Sequence, residues 1–125
     1  MIPFVDLVTQ YHDIQQEVDA AVLGVLASGH YVLGPEVAAF EEEFAAFSNS
    51  RYCVALNTGT SALHLAMLAL GIGAGDEVIT VPFTFIATAA AVAYCGATPV
   101  FVDVDPATYT MDPTLLERAI TPKTK

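Results

Sequence analysis

Fixed positive charge is scarce in this sequence: Arg51, Arg118, Lys123 and Lys125 stand against 14 aspartates and glutamates, for a net charge of −10. That balance excludes the basic footprint that nucleic acid requires, and acidic lipid surfaces would repel the chain. Cysteine is scarce too. Cys53 and Cys95 lie far apart in apolar surroundings without C-x-x-C spacing, so metal or redox chemistry is not indicated and buried free thiols in a reducing cytoplasm are expected. Charge of either sign makes up only 14% of the residues, against about 25% in typical domains. Val78 to Val102 carry none. Length alone would suit a membrane span, but Pro82 and the Gly96–Pro99 segment divide the run into strand, short helix and strand. The opening "MIPFVDLVTQYHD" has no cationic leader and meets Asp6 early, which argues against a signal peptide.

What is abundant is apolar surface: 54% of the 125 residues are hydrophobic, enough to demand heavy burial in one domain at most. The first helix is predicted from about His12 to Ala27, where Ile14, Val18, Ala21, Val22, Val25 and Leu26 share a face, and Ser28-Gly29 ends it. Gly34-Pro35 opens a second helix, with Val37, Phe40, Phe44 and Phe47 as its apolar stripe. Glu36, Glu41, Glu42 and Glu43 read as a solvated face rather than a metal site, and their early placement suits the helix dipole.

From Arg51 the pattern changes to strand and helix in alternation. "RYCVAL" reads as a buried strand, Thr60 to Leu70 as a helix, "EVITVP" as a second strand, Phe85 to Tyr94 as a short Ala-rich helix stopped by Gly96, and "TPVFVDVD" as a third strand. In "DPTLLERAI", Asp112 is an N-cap and Pro113 the first helical residue. Alternation of this kind predicts an α/β fold with a mostly parallel sheet and helices on both faces, preceded by two N-terminal helices.

Ligands in open α/β sheets bind beyond the carboxyl ends of the strands. The polar knot Asn57-Thr58-Gly59-Thr60-Ser61 occupies that position and admits two readings. Thr58 or Thr60 could simply cap the helix. Alternatively, unpaired N–H groups, the hydroxyls of Thr58, Thr60 and Ser61, and the open approach at Gly59 form a phosphate cup. A Walker loop is excluded, because no lysine is present there. Gly71, Gly73 and Gly75 end a helix instead of opening one, so they are a stop and not a dinucleotide fingerprint. Phe83 and Phe85 stand at the second strand end, where an aromatic ring serves either the core or a flat cofactor. Asp103 and Asp105 follow the third strand as carboxylates for a site or for turns. His64 reads as a packed helix residue, and neither His12 nor His30 has partner spacing for a metal or a triad.

Together, "FVDL" at Phe4–Leu7, "SGHYVLGPEVAAFEEEFA" from Ser28, "NTGTSALHLAMLALGIGAGDEVITVPFTFIAT" from Asn57 and "GATPVFVDVDPATYTMDPTLLERAITPKTK" from Gly96 resemble the N-terminal part of the DegT/StrS-type sugar aminotransferases. The resemblance spans essentially the whole chain. It implies the aspartate-aminotransferase fold (fold type I) with pyridoxal 5'-phosphate as cofactor, its phosphate held by Gly59, Thr60 and Ser61 and its ring stacked on Phe85. Tyr31 would lie in a loop near the active site and the subunit boundary. It implies a cytoplasmic homodimer that moves an amino group from glutamate to a nucleotide-linked keto sugar by ping-pong exchange, with sugar dehydration as another branch of the family.

Residues 1–50 would then be a helical segment, and 51–125 part of the cofactor-binding large domain. The family's Schiff-base lysine matches no residue up to Lys125, so no catalytic residue and no metal ligand is assigned, and the 125 residues alone are expected to be inactive. The resemblance also places later strands beside "RYCVAL", which is expected to lack its sheet neighbours here, leaving a marginal or aggregation-prone piece. Two other readings stay open: a non-catalytic phosphate- or nucleotide-binding module, and an interaction protein using the Phe40, Phe44, Phe47 face.

Overall fold

The structure is a computed structural model, and it describes residues 4–125. It divides into two compact units, Met1–Ala55 and Leu56–Lys125.

The first unit contains α1 (Leu7–Ser28) and α2 (Pro35–Phe47). α1 starts five residues before the predicted His12, because Asp6 caps it: its carboxylate accepts from the Thr9 N–H at 3.0 Å and the Thr9 hydroxyl at 2.8 Å. Those bonds, the backbone one foremost, hold the Asp6 carboxyl below its ordinary value. Gly29 ends the helix in the left-handed conformation, at φ 70°. Gly34 opens α2 without a side-chain cap, and a Cβ there would lie 2.7 Å from the His30 carbonyl oxygen. Phe40, Phe44 and Phe47 form a ladder along α2, with centroids 5.5 and 6.1 Å apart, and all three are exposed. Ala45 is this unit's one buried hydrophobic residue among those described.

The segment read as the strand "RYCVAL" is extended but belongs to no sheet. Cys53 and Ala55 are half-buried and their neighbours Tyr52, Val54 and Leu56 exposed, which is the alternation of a strand. A strand also needs a neighbour to accept its N–H groups, and among the described residues it has none. Instead, the Ala55 N–H donates to Glu41 Oε1 of α2 at 2.8 Å. Of the expected buried free thiols, Cys53 and Cys95 are free as expected but only half-buried.

The second unit runs α3 (Gly59–Ala69), β1 (Glu77–Thr80), α4 (Ala87–Tyr94), β2 (Thr98–Phe101) and α5 (Pro113–Ala119). β1 and β2 pair in parallel, with Glu77 opposite Thr98 and Thr80 opposite Phe101. α4 is the crossover between them. Its alanines let it approach α3 and both strands closely, and the core lies there: Ala91, Val92, Ala97 and Val102 are buried. Full burial of one valine contributes about 1.5–3 kcal/mol, so Val92, 2% exposed, is a principal anchor.

The glycine stop after α3 behaves as predicted. Gly71 adopts φ 73°, and the Gly71 and Ile72 N–H groups donate to the Leu68 and Met67 carbonyls, a Schellman motif. β2 ends at Phe101, earlier than the predicted Asp105, because Asp103 to Asp112 fold back as a tight loop with a Val104–Met111 bridge. Asp112 caps α5 as predicted, accepting from the Thr114 N–H at 2.8 Å. Residues 121–125 lie beside β1, with Thr124 bridged in parallel to Glu77.

Candidate functional site

The knot enters α3 with Thr58 as N-cap. Its hydroxyl accepts from the Ser61 N–H at 3.1 Å and donates to the Ser61 hydroxyl at 3.3 Å, while its carbonyl accepts from the Ala62 N–H at 3.1 Å. Capping therefore occupies the Ser61 and Ala62 amides. Among the described residues, the Gly59 and Thr60 amides have no protein acceptor. The two readings of the knot are thus compatible, since the cap leaves two donors free at the positive end of a helix dipole.

Gly59 itself is explained neither by conformation nor by crowding. Its φ is not left-handed, and a Cβ built on it meets no atom within 4 Å. Its smallness leaves room for something outside this chain to approach the backbone.

An open cleft of about 670 Å³ lies between the α3 N-terminus and the start of α4. Gly59 and Thr60 border it on one side and Phe85, 75% exposed, on the other. Ser61 does not border it, and its amide is taken by the cap. Thr88, unremarked in the sequence, does border it, with its hydroxyl 3.0 Å from that of Thr84. The signal was available, because Thr88 follows Phe85 by three residues and so shares its side of the helix start. No bordering residue is charged, so α3's dipole is the local source of positive potential.

The remaining candidates lie elsewhere. Asp103 and Asp105 serve the loop after β2, accepting from the Val104 and Ala107 N–H groups at 2.8 and 2.7 Å. His64 packs against Tyr94, with centroids 5.7 Å apart in an edge-on arrangement. The Tyr31 hydroxyl donates to the Leu26 carbonyl at 3.1 Å within the first unit. Lys123 and Lys125 bond through their backbones to Glu77, at the amino end of β1, whereas the cleft opens beyond the carboxyl ends of the strands. No group of His, Cys, Asp and Glu among the described residues is arranged to hold a metal ion. Among the described residues, no helix is long and apolar enough to cross a membrane.

The parallel α/β unit agrees with the class of the solved structures similar to this chain, which are fold-type I pyridoxal-phosphate aminotransferases. The chain belongs to the DegT/DnrJ/EryC1/StrS aminotransferase family, whose sequence profile matches residues 12–125. Aminotransferases of this family depend on pyridoxal phosphate. The chain is 52% identical over 125 residues to the UDP-2-acetamido-2-deoxy-3-oxo-D-glucuronate aminotransferase of Pseudomonas aeruginosa, matching 100% of this chain and 35% of that protein. It superposes on S. venezuelae DesV with a TM-score of 0.93 and 49% identity, over 99% of this chain and 33% of that one. Against NtdA from Bacillus subtilis, solved with bound PMP, the TM-score is 0.92 at 36% identity, over 99% and 29% of the respective chains. The chain thus spans about a third of the length of the proteins it matches.

Proposed function

We propose that these residues form the phosphate-holding part of a pyridoxal-phosphate-dependent aminotransferase that transfers an amino group from glutamate to a nucleotide-linked keto sugar. The observation that carries this reading is that Gly59 and Thr60, whose amides have no protein acceptor among the described residues, border a cleft that Phe85 shares. In it, the Gly59 and Thr60 N–H groups and the Thr60 hydroxyl bind the phosphate, the Ser61 hydroxyl joins them from behind the cleft's border by turning from Thr58, the α3 dipole offsets the charge, and Phe85 covers a ring face. When bound, the cofactor supplies the electron sink for amino-group exchange.

Residues 1–50 serve as a helical segment and 51–125 as part of the large domain. Residues 1–125 are catalytically silent by themselves, because neither lysine borders the cleft; the amine that engages the cofactor comes from outside them. The donor and the nucleotide-sugar acceptor are those expected from the resemblance, and the relatives' names favour the latter. A cytoplasmic homodimer is part of the same reading.

The test is binding of pyridoxal phosphate and of unphosphorylated pyridoxal to the complete protein carrying these residues. A preference for the phosphorylated form of about a hundredfold or more is expected, falling at least about tenfold in Gly59→Val. Equal binding of the two would reject the cradle. Phosphate-dependent binding without transfer of ¹⁵N from labelled glutamate to a nucleotide-linked keto sugar would instead indicate a binding module.

A further inference from the structure

α4 reads ATAAAVAY, and at its second position Thr88 interrupts a run of alanine. A β-branched threonine is a poorer helix residue than alanine, and Thr88 is not a cap, since α4 has no side-chain cap hydrogen bond. Its N–H donates to the Phe85 carbonyl at 3.1 Å, closing a turn whose two ends, Phe85 and Thr88, both border the cleft. Thr88 is half-buried there. Its hydroxyl lies 3.0 Å from that of Thr84, which borders a separate, smaller cavity with Pro82, Ile86 and Phe101. Two hydroxyls in contact hold two protons, of which one lies between them. If Thr84 donates, Thr88 keeps its own proton to give; if Thr88 donates, it keeps a lone pair to accept. The Thr84 bond thus fixes the Thr88 oxygen without exhausting it.

Among the described residues bordering the cleft, only Thr60 and Thr88 have polar side chains, and the wall that α3 contributes is otherwise apolar, with Ala62, Leu63 and Ala66. Thr60 stands with Gly59 at the phosphate end, whereas Thr88 stands one turn from the aromatic ring of Phe85. Resting on the functional reading above, we infer that the Thr88 hydroxyl is a hydrogen-bond partner for a polar atom on the edge of the cofactor's ring, with Thr84 setting its direction. A flat ring held only by its phosphate and one aromatic face is free to turn in its own plane. A hydroxyl at its edge fixes that rotation, and it favours a ring with a polar rim over a plain aromatic one.

The test measures dissociation constants for pyridoxal and for pyridoxal phosphate in the complete protein carrying these residues, as the parent and as Thr88→Val, Thr88→Ser and Thr84→Val. Thr88→Val keeps the shape and loses the hydroxyl. It should weaken both compounds about fivefold, leaving the ratio of the two constants within about twofold of the parent. Thr88→Ser keeps the hydroxyl and should stay within about twofold on both compounds. Thr84→Val breaks the same hydroxyl pair but leaves the Thr88 oxygen, and should weaken both by less than Thr88→Val does. Unchanged affinities in Thr88→Val, a Ser variant as impaired as the Val variant, or equal losses in Thr84→Val and Thr88→Val overturn the inference and leave the cradle standing. A loss confined to the phosphorylated compound does the same, since it moves Thr88 to the phosphate end. A parent with no preference for the phosphorylated form overturns the cradle, while a fivefold loss of pyridoxal in Thr88→Val would still support the ring contact. A parent that binds neither compound overturns both.

Discussion

Two stretches of similar apolar character, Arg51–Leu56 and Glu77–Thr80, end in different states. The second is a strand, paired in register with Thr98–Phe101, with α4 against it. The first is extended with strand-like alternation, yet its only hydrogen bond from a backbone amide among those described is Ala55 to Glu41. Side-chain pattern thus sets extension and facing, whereas a strand exists only where a neighbour completes its ladder. Near-continuous apolar character is appropriate to a strand covered on both faces; without that cover, Tyr52 and Val54 are each 73% exposed.

The largest expected contrast comes from placing a charge in each region. Val92→Asp should destabilise the second unit by about 3 kcal/mol or more, since it leaves an unpaired carboxylate at a buried position of α4; Val54→Asp in the same chain should change stability by less than about 0.5 kcal/mol. Urea titrations followed by circular dichroism compare them, and equal losses would mean that the two segments are equally covered. Next in size is Gly71→Val. Nothing lies within 4 Å of a Cβ there, so its cost of about 1–2 kcal/mol comes entirely from the left-handed backbone that turns α3 toward β1.

Thr58→Ala removes the α3 cap and should cost about 1 kcal/mol, visible as faster exchange of the Ser61 amide. Exchange also reads the contrast directly. The Thr98 and Val102 amides, which donate to the Asp76 and Thr80 carbonyls, should be protected, and among residues 52–56 only Ala55 should be slowed.

The smallest effect is acid fraying at the helix caps. Hydrogen bonds from the Thr114 side chain and then its backbone hold the Asp112 carboxyl below its ordinary value of 3.8, and Thr9 does the same for Asp6. A depressed folded-state value means that the caps contribute fully above the unfolded value and lose their contribution as pH falls through the folded one. Exchange at Thr9 and Thr114, corrected for intrinsic rates, should therefore quicken below about pH 4, while the Gly71 stop, with no titratable group, should not respond.

Periodicity made the helices and the β1–α4–β2 unit legible. It placed the start of α1 too late because an Asp6–Thr9 cap, three residues apart, lies before the apolar repeat begins. It read Arg51–Leu56 as a strand, and the segment is extended without a ladder, as the resemblance and not the local pattern led one to expect, because pairing depends on a second stretch of chain that no local pattern contains. Gly59, Thr60 and Phe85 were visible as a strand-end constellation, and the structure brings them to one cleft. The allocation of the Ser61 amide to the cap was not visible. Nor was Glu41 distinguishable from its acidic neighbours, since a side-chain bond to an amide 14 residues away leaves no periodic trace.

The short connection between β1 and β2 also sets an order in time. α4 and two short loops join them, so pairing β1 with β2 needs no residue beyond Phe101. Closing so short a crossover is fast compared with chain elongation at about 5–20 residues per second. During translation, then, the β1–β2 pair can close as soon as Phe101 has left the ribosome, whereas Arg51–Leu56, made earlier, has no sheet neighbour among the described residues.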